Sequence, residues 1–167
     1  VLDLVGDPEI AESLAQVRMQ PCWAVMAGLD QPLSADYDAA FVNTGPLSWL
    51  ARQSSRPGRP NAEAWVLHAN PEWSEKRLEA HPEDVQTELL DAAGELPISG
   101  PFETEYARAH RWLYALPRQP LEVGAMWFEK RQLALAGDWC QGSRIEGAFL
   151  SGAAAAGRVM AAQVDSS

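Results

Sequence analysis

The sequence predicts an α+β fold, a mostly antiparallel sheet with helices inserted between its strands. Three observations carry that expectation. The runs CWAVMAGL, AAFVNTGPLSWLARQSS and AEAWVLHA are rich in aromatic and β-branched residues and are bounded by Pro, Gly, Asn or Asp. Past Ala69 the pattern turns helical, and in RAHRWLYALP it returns to alternation of bulky and polar residues. Strands interrupted by helices in this order suit a single twisted sheet.

In chain order, apolar residues at Leu2, Val5, Ile10 and Leu14 make a helical pattern broken by Pro8, so a short helix is expected after Asp7. NTGP between Val42 and Leu47 has turn chemistry and should join AAFV to LSWLARQ as an antiparallel hairpin, and RPGRPN is a second turn. Ser74 is placed to cap one short helix, and Pro82 to open another through DVQTELLDAAGEL that Pro97 stops. RQLALAGDW reads as a short apolar strand ending in Gly-Asp, followed by a loop at Gly142. Alanine-rich Glu146 to Val164 reads as a helix. The expected division is a domain over 1–132 and a strand-helix unit over 133–167.

Composition excludes several classes. A hydrophobic content of 47% with a mean hydropathy of -0.23 is that of a globular protein, and no apolar run approaches the ~20 residues that span a bilayer. Thirteen basic against 23 acidic residues give a net charge of -10, which repels a nucleic-acid backbone and an anionic membrane. Cys22 and Cys140 lie far apart, with no CxxC pair and no metal-ligand spacing, so reduced thiols in a cytoplasmic protein and no metal are expected.

The richest segment is LALAGDWCQGSRIEGAFLSGAAAAGRVM, Leu133 to Met160. A buried strand runs into Gly137-Asp138, and a helix opens near Glu146-Gly147, where free N–H groups and the positive dipole end favour an anion or a polarised carbonyl. Gly147, Gly152 and Gly157 fall inside that helix, each at a cost of about 1 kcal/mol against alanine. Such a cost calls for a steric reason, either a tightly packed core helix or a ring system lying on a flat surface.

AGDW followed by SRIEGAFLSGAAAA resembles the closing motif of flavin amine oxidases, phytoene-desaturase-like enzymes and renalases. The resemblance implies that Gly137 and Asp138 meet the ribitol and pyrophosphate of FAD, and that the helix start at Ile145, Glu146, Gly147 and Ala148 lies against the flavin. PCWAVMAGL, WLARQSSRPGR, AWVLHANPEWS and AHRWLYA, in that order, resemble the substrate domain of bacterial renalase-like proteins, so the likeness runs from about Pro21 to Ala162. Those enzymes begin with a Rossmann GxGxxG turn, and this sequence has none. The chain therefore reads as the second half of such an enzyme, lacking the dinucleotide-binding half and inactive by itself.

The resemblance also implies that His68 and Trp112 line the pocket over the flavin. Tyr114 shares a strand face with Trp112 by the two-residue period; core packing accounts equally well for either aromatic ring. A lone strand histidine is by composition more often structural. Arg52, inside a strand, needs a partner, either a structural carboxylate or a substrate anion. The expected activity is hydride transfer from an amine or a dihydronicotinamide dinucleotide to FAD and then to oxygen. The alternative is a non-catalytic binding or interaction domain that keeps the fold without its nucleotide half. An uncovered alanine-glycine helix would also drive self-association.

Overall fold

The computed structural model describes residues 6–59, 62–96 and 103–165. In chain order the elements are α1 (Pro8–Leu14), β1 (Met19–Leu29), β2 (Ala39–Phe41), β3 (Leu47–Arg52), β4 (Ala64–Ala69), α2 (Pro71–Lys76), α3 (Pro82–Gly94), β5 (Thr104–Pro117), β6 (Met126–Phe128), β7 (Leu133–Leu135), α4 (Asp138–Gln141) and α5 (Ile145–Asp165). This is the mixed α+β, mostly antiparallel arrangement that the sequence predicts. The chain divides into two compact units, one Pro21–Ala115 and the other Val1–Gln20 with Leu116–Ser167. The boundary expected after residue 132 lies inside the second of these units, where the stretch from Leu116 groups with the C-terminal helix.

The first unit is built on a five-stranded sheet in the order β2-β3-β4-β1-β5. The turn chemistry of NTGP closes the β2–β3 hairpin, pairing Phe41 with Trp49 and Ala39 with Ala51. Alternation then sorts the side chains. Trp65, Leu67 and Ala69 of β4, Val25 and Ala27 of β1 and Leu50 of β3 turn to one face and are buried there with Val85, Leu89 and Ala93 of α3. Those three α3 residues recur every four positions, which keeps them on one stripe of the helix. Each fully buried Val or Leu contributes roughly 1.5–3 kcal/mol relative to exposure.

Asn70, not Ser74, caps α2. Its side chain accepts the Trp73 N–H at 2.7 Å and donates to the Gly45 carbonyl at 2.9 Å. Ser74 lies inside the helix, fully buried, where its Oγ accepts the Trp23 N–H at 3.1 Å. A hydroxyl thus completes the hydrogen bonding of a buried strand residue and ties α2 to the sheet. The stop expected at Pro97 and the start of the expected first helix, Leu2 and Val5, lie outside the described residues.

In the second unit Asp7 caps α1 by accepting the Glu9 N–H at 2.9 Å, and Arg131 donates from Nε to the other Asp7 oxygen at 2.6 Å. β6 and β7 pair antiparallel as a separate two-stranded sheet, so the chain carries two sheets and not one. Three-residue strands bury too little to extend the larger sheet's core. The expected loop between Gly137 and Gly142 is instead the short helix α4, and α5 covers the whole alanine-rich stretch. Among the described residues no helix is long and apolar enough to cross a membrane.

Replacing Ser74 by Ala should destabilise the protein by about 1–3 kcal/mol, since it strands the buried Trp23 N–H. Urea unfolding measures this, and a Ser74→Ala midpoint equal to wild type would show that the hydrogen bond contributes nothing.

Candidate functional site

Because strand side chains alternate, the strand that buries Trp65, Leu67 and Ala69 against α3 turns Val66 and His68 to the opposite face. Ala24 on β1 and Trp49 on β3 stand directly across from His68, so they share that face. Gly28 carries the face across to β5, for a Cβ built on it would lie 3.9 Å from the Tyr106 Cβ. At two-residue steps along β5, Arg108, His110, Trp112 and Tyr114 follow Tyr106. The His110 and Trp112 rings meet edge to face at 4.5 Å, as neighbours on one strand face do. At the other end of the sheet the Phe41 and Trp49 rings lie 4.6 Å apart.

His68 and Trp112 thus project from one sheet face, with Tyr114 beside Trp112. That face is open: Trp112 is 55% exposed and Tyr114 78%. It is an aromatic platform within this unit and not a closed pocket. His68 is half-buried, and burial lowers its pKa from the ordinary histidine value, so the imidazole is held neutral with a lone pair available to accept a proton. The strand beneath it is pinned by Ser48, whose Oγ donates to the carbonyls of His68 and Ala69 at 3.2 and 3.1 Å where the β3–β4 register shifts.

Arg52 does not join this set. It pairs across the sheet with Trp65, on the core face, and its guanidinium lies 5.1 Å from the Trp65 ring centre. Its NH2 donates to the Leu33 carbonyl at 2.9 Å, and NH1 lies 3.6 Å from Asp38. Nε stands 3.1 Å from Glu63 Oε1 but out of hydrogen-bonding line, a Coulombic contact. With two carboxylates, a carbonyl and a ring around it, Arg52 already has structural partners on the core face.

The cofactor residues expected from the sequence lie in the second unit. The Gly137 N–H donates to Ser151 Oγ at 3.0 Å, and Ser151 is fully buried, so the end of β7 is fastened to the second turn of α5. The two small residues at this junction serve the chain's own packing. A Cβ on Gly137 would strike the Trp139 indole, and one on Gly147 would strike the Gly142 carbonyl. Gly152 and Gly157 have no atom within 4 Å of such a Cβ and face open space. Around the start of α5 a groove of about 340 Å³ is lined by Pro120, Gln141, Ser143, Arg144, Glu146 and Leu150. Ile145, Glu146 and Ala148 are exposed there, Gly147 is buried, and Asp138 opens α4 half-buried. The helix start is therefore reachable from solvent.

Neither thiol is built for chemistry. Burial pushes Cys22 up to about 11, and burial likewise raises Cys140, so both stay protonated and poorly nucleophilic. Among the described residues no group of three or more His, Cys, Asp or Glu could hold a metal ion. The sequence reading missed Arg108 and His110, although the period of two in ARAHRWLY already put them on the Trp112 face. It also missed Ser151, whose pairing with Gly137 joins residues 14 apart that no local pattern links.

The depressed His68 pKa sets a sign for acid stability. Below about 6.5 the unfolded chain takes up a proton that the folded imidazole refuses until lower pH, so acidification through that window costs stability. His68→Gln should therefore narrow the gap between urea midpoints at about pH 7.5 and 5.5; an unchanged gap would contradict the neutral, half-buried imidazole. Both thiols should resist a disulfide reagent in the native protein and react once urea unfolds it, whereas immediate reaction of either would show that its site opens.

No protein-family model matches the sequence. In three dimensions the chain is similar to a solved structure described as a "Putative protoporphyrinogen oxidase" from Exiguobacterium sp. 255-15, with a TM-score of 0.71 at 14% identity. The match covers 97% of this chain and 38% of that one. Nearly all of this chain thus has the fold of well under half of a larger protein described as an oxidase.

Proposed function

We propose that this chain is the substrate-side and flavin-contacting part of an FAD-dependent oxidoreductase of the renalase or amine oxidase kind. The observation that supports this most is the fold shared over 97% of the chain with a protein described as an oxidase, in a sequence whose AGDW and IEGA segments resemble a flavin-binding motif. What supports a cofactor here is the start of α5, where Glu146 and Gly147 line a groove. The groove at the start of α5 is open, and the first N–H groups of a helix lack acceptors within the helix. Gly137, Asp138 and the backbone at Ile145, Glu146, Gly147 and Ala148 would hold FAD. Bound there, it would supply the two-electron acceptor for a hydride from an amine or a dihydronicotinamide, with oxygen taking the electrons.

The chain's own residues place and protect. The Asp138 carboxylate would accept hydrogen bonds from the cofactor's sugar hydroxyls, and the dipole of α5 favours negative charge at its start. His68, neutral through burial, accepts a proton from a substrate N–H. Trp112 and Tyr114 offer flat apolar surface against which a planar substrate is oriented and shed of water.

A second reading is a binding or interaction domain without catalysis. Flavin fluorescence separates the two. A few hydrogen bonds, each net worth about 0.5–1.5 kcal/mol, oppose an association cost of at least ~4 kcal/mol, so the chain should quench FAD fluorescence only at about millimolar levels and lose the flavin on gel filtration. Asp138→Asn should weaken even that binding several-fold. Equal quenching by wild type and Asp138→Asn would remove the cofactor role and leave the binding domain, and flavin retained near one equivalent would overturn the need for a second half.

A further inference from the structure

The charge on the open sheet face differs in kind from that of the rest of the chain. The protein carries 23 acidic against 13 basic residues, yet no strand residue on the His68 face of β1 to β5 is an aspartate or glutamate. Among those strand residues the one full cation is Arg108, exposed on β5 between Tyr106 and His110. Arg52, Arg77 and Arg111 are each paired with a carboxylate. Arg108 has no ion-pair or hydrogen-bond partner among the described residues. The nearest acid on its own strand, Glu105, points to the opposite face by the two-residue period.

An unpaired guanidinium in a row of rings fits one kind of occupant. Tyr106, Trp112 and Tyr114 present flat π surface, which favours a planar ring system of about their own size. Arg108 offers a planar fork of donors that matches a carboxylate or a phosphate. With no strand carboxylate on this face, an anion meets less repulsion there than over most of a chain of charge -10. Among the strand residues of this face a cationic ligand would find no counter-charge.

We infer that the open face of β5 binds a planar aromatic or conjugated ligand that carries a carboxylate or phosphate, with Arg108 as the residue that selects the anion. This rests on the reading of the sheet as the substrate side of an oxidoreductase.

The test uses the whole chain and two probes of one shape, pyrenebutyrate and its neutral counterpart pyrenebutanol, followed by pyrene fluorescence at low salt. Pyrenebutyrate should bind about three- to tenfold more tightly, a margin that raised salt erases. Arg108→Gln should bring the two probes to equal affinity with unchanged thermal stability, Arg108→Lys should keep part of the preference, and Trp112→Ala should weaken both probes. Equal binding of the probes to wild type, or a preference that survives Arg108→Gln, would overturn the inference. So would sedimentation showing a dimer that Trp112→Ala dissociates, with neither probe bound, since the face would then belong to a second copy of the chain. None of these readouts contains flavin, so their failure leaves the FAD titration to be judged by itself.

Discussion

Burial of Trp65, Leu67 and Ala69 against Val85, Leu89 and Ala93 of α3 fixes the direction of every other side chain in the larger sheet. A strand has two faces, and a register slip of one residue would exchange them. With Leu67 and Val25 paired and fully buried, no slip is tolerated, and His68 is committed to the side away from α3. Ala24 and Trp49 go with it by pairing. The same constraint sends Arg52 to the core side, where it is neutralised in place. Packing leaves the His68 face as the one on which Trp112 and Tyr114 are exposed.

In the C-terminal unit close backbone approach has the corresponding role. Gly147 lets the first turn of α5 press on the Gly142 carbonyl, and Ser151 holds the Gly137 N–H. These contacts fasten the strand end to the helix and leave the groove at the start of α5 beside Gly142 and Gly147. The bland explanation of the helix glycines therefore holds for Gly147, whose missing Cβ serves packing, while Gly152 and Gly157 face open space. Helix propensity opposes both of those, and nothing within the chain repays them.

Much of this was legible in the residues. The hairpin at NTGP, the helix after Asp7, the alternation of β5 and the long final helix all follow from local chemistry, because turn residues, caps and periodicity act over a few positions. What escaped depended on distance. Ser74 reads as a cap from spacing, but the Trp23 N–H, 51 positions away, claims its hydroxyl. Arg52 reads as a strand cation in need of a partner, and the sequence does not say that Glu63 and the Leu33 carbonyl supply it. The short β6–β7 pair could not be told from an edge of the larger sheet, since three residues carry no register. His68 and Trp112 were named from a resemblance, and period-two bookkeeping alone would have added Arg108 and His110 beside Trp112.

Flavin contact at the helix start, Ile145 to Ala148, with Gly137 and Asp138, is tested residue by residue by the amide resonances of the isotope-labelled chain as FAD is added. Shifts concentrated at residues 137–148 are expected, and shifts absent there, or scattered without regard to the groove at the start of α5, would contradict flavin contact.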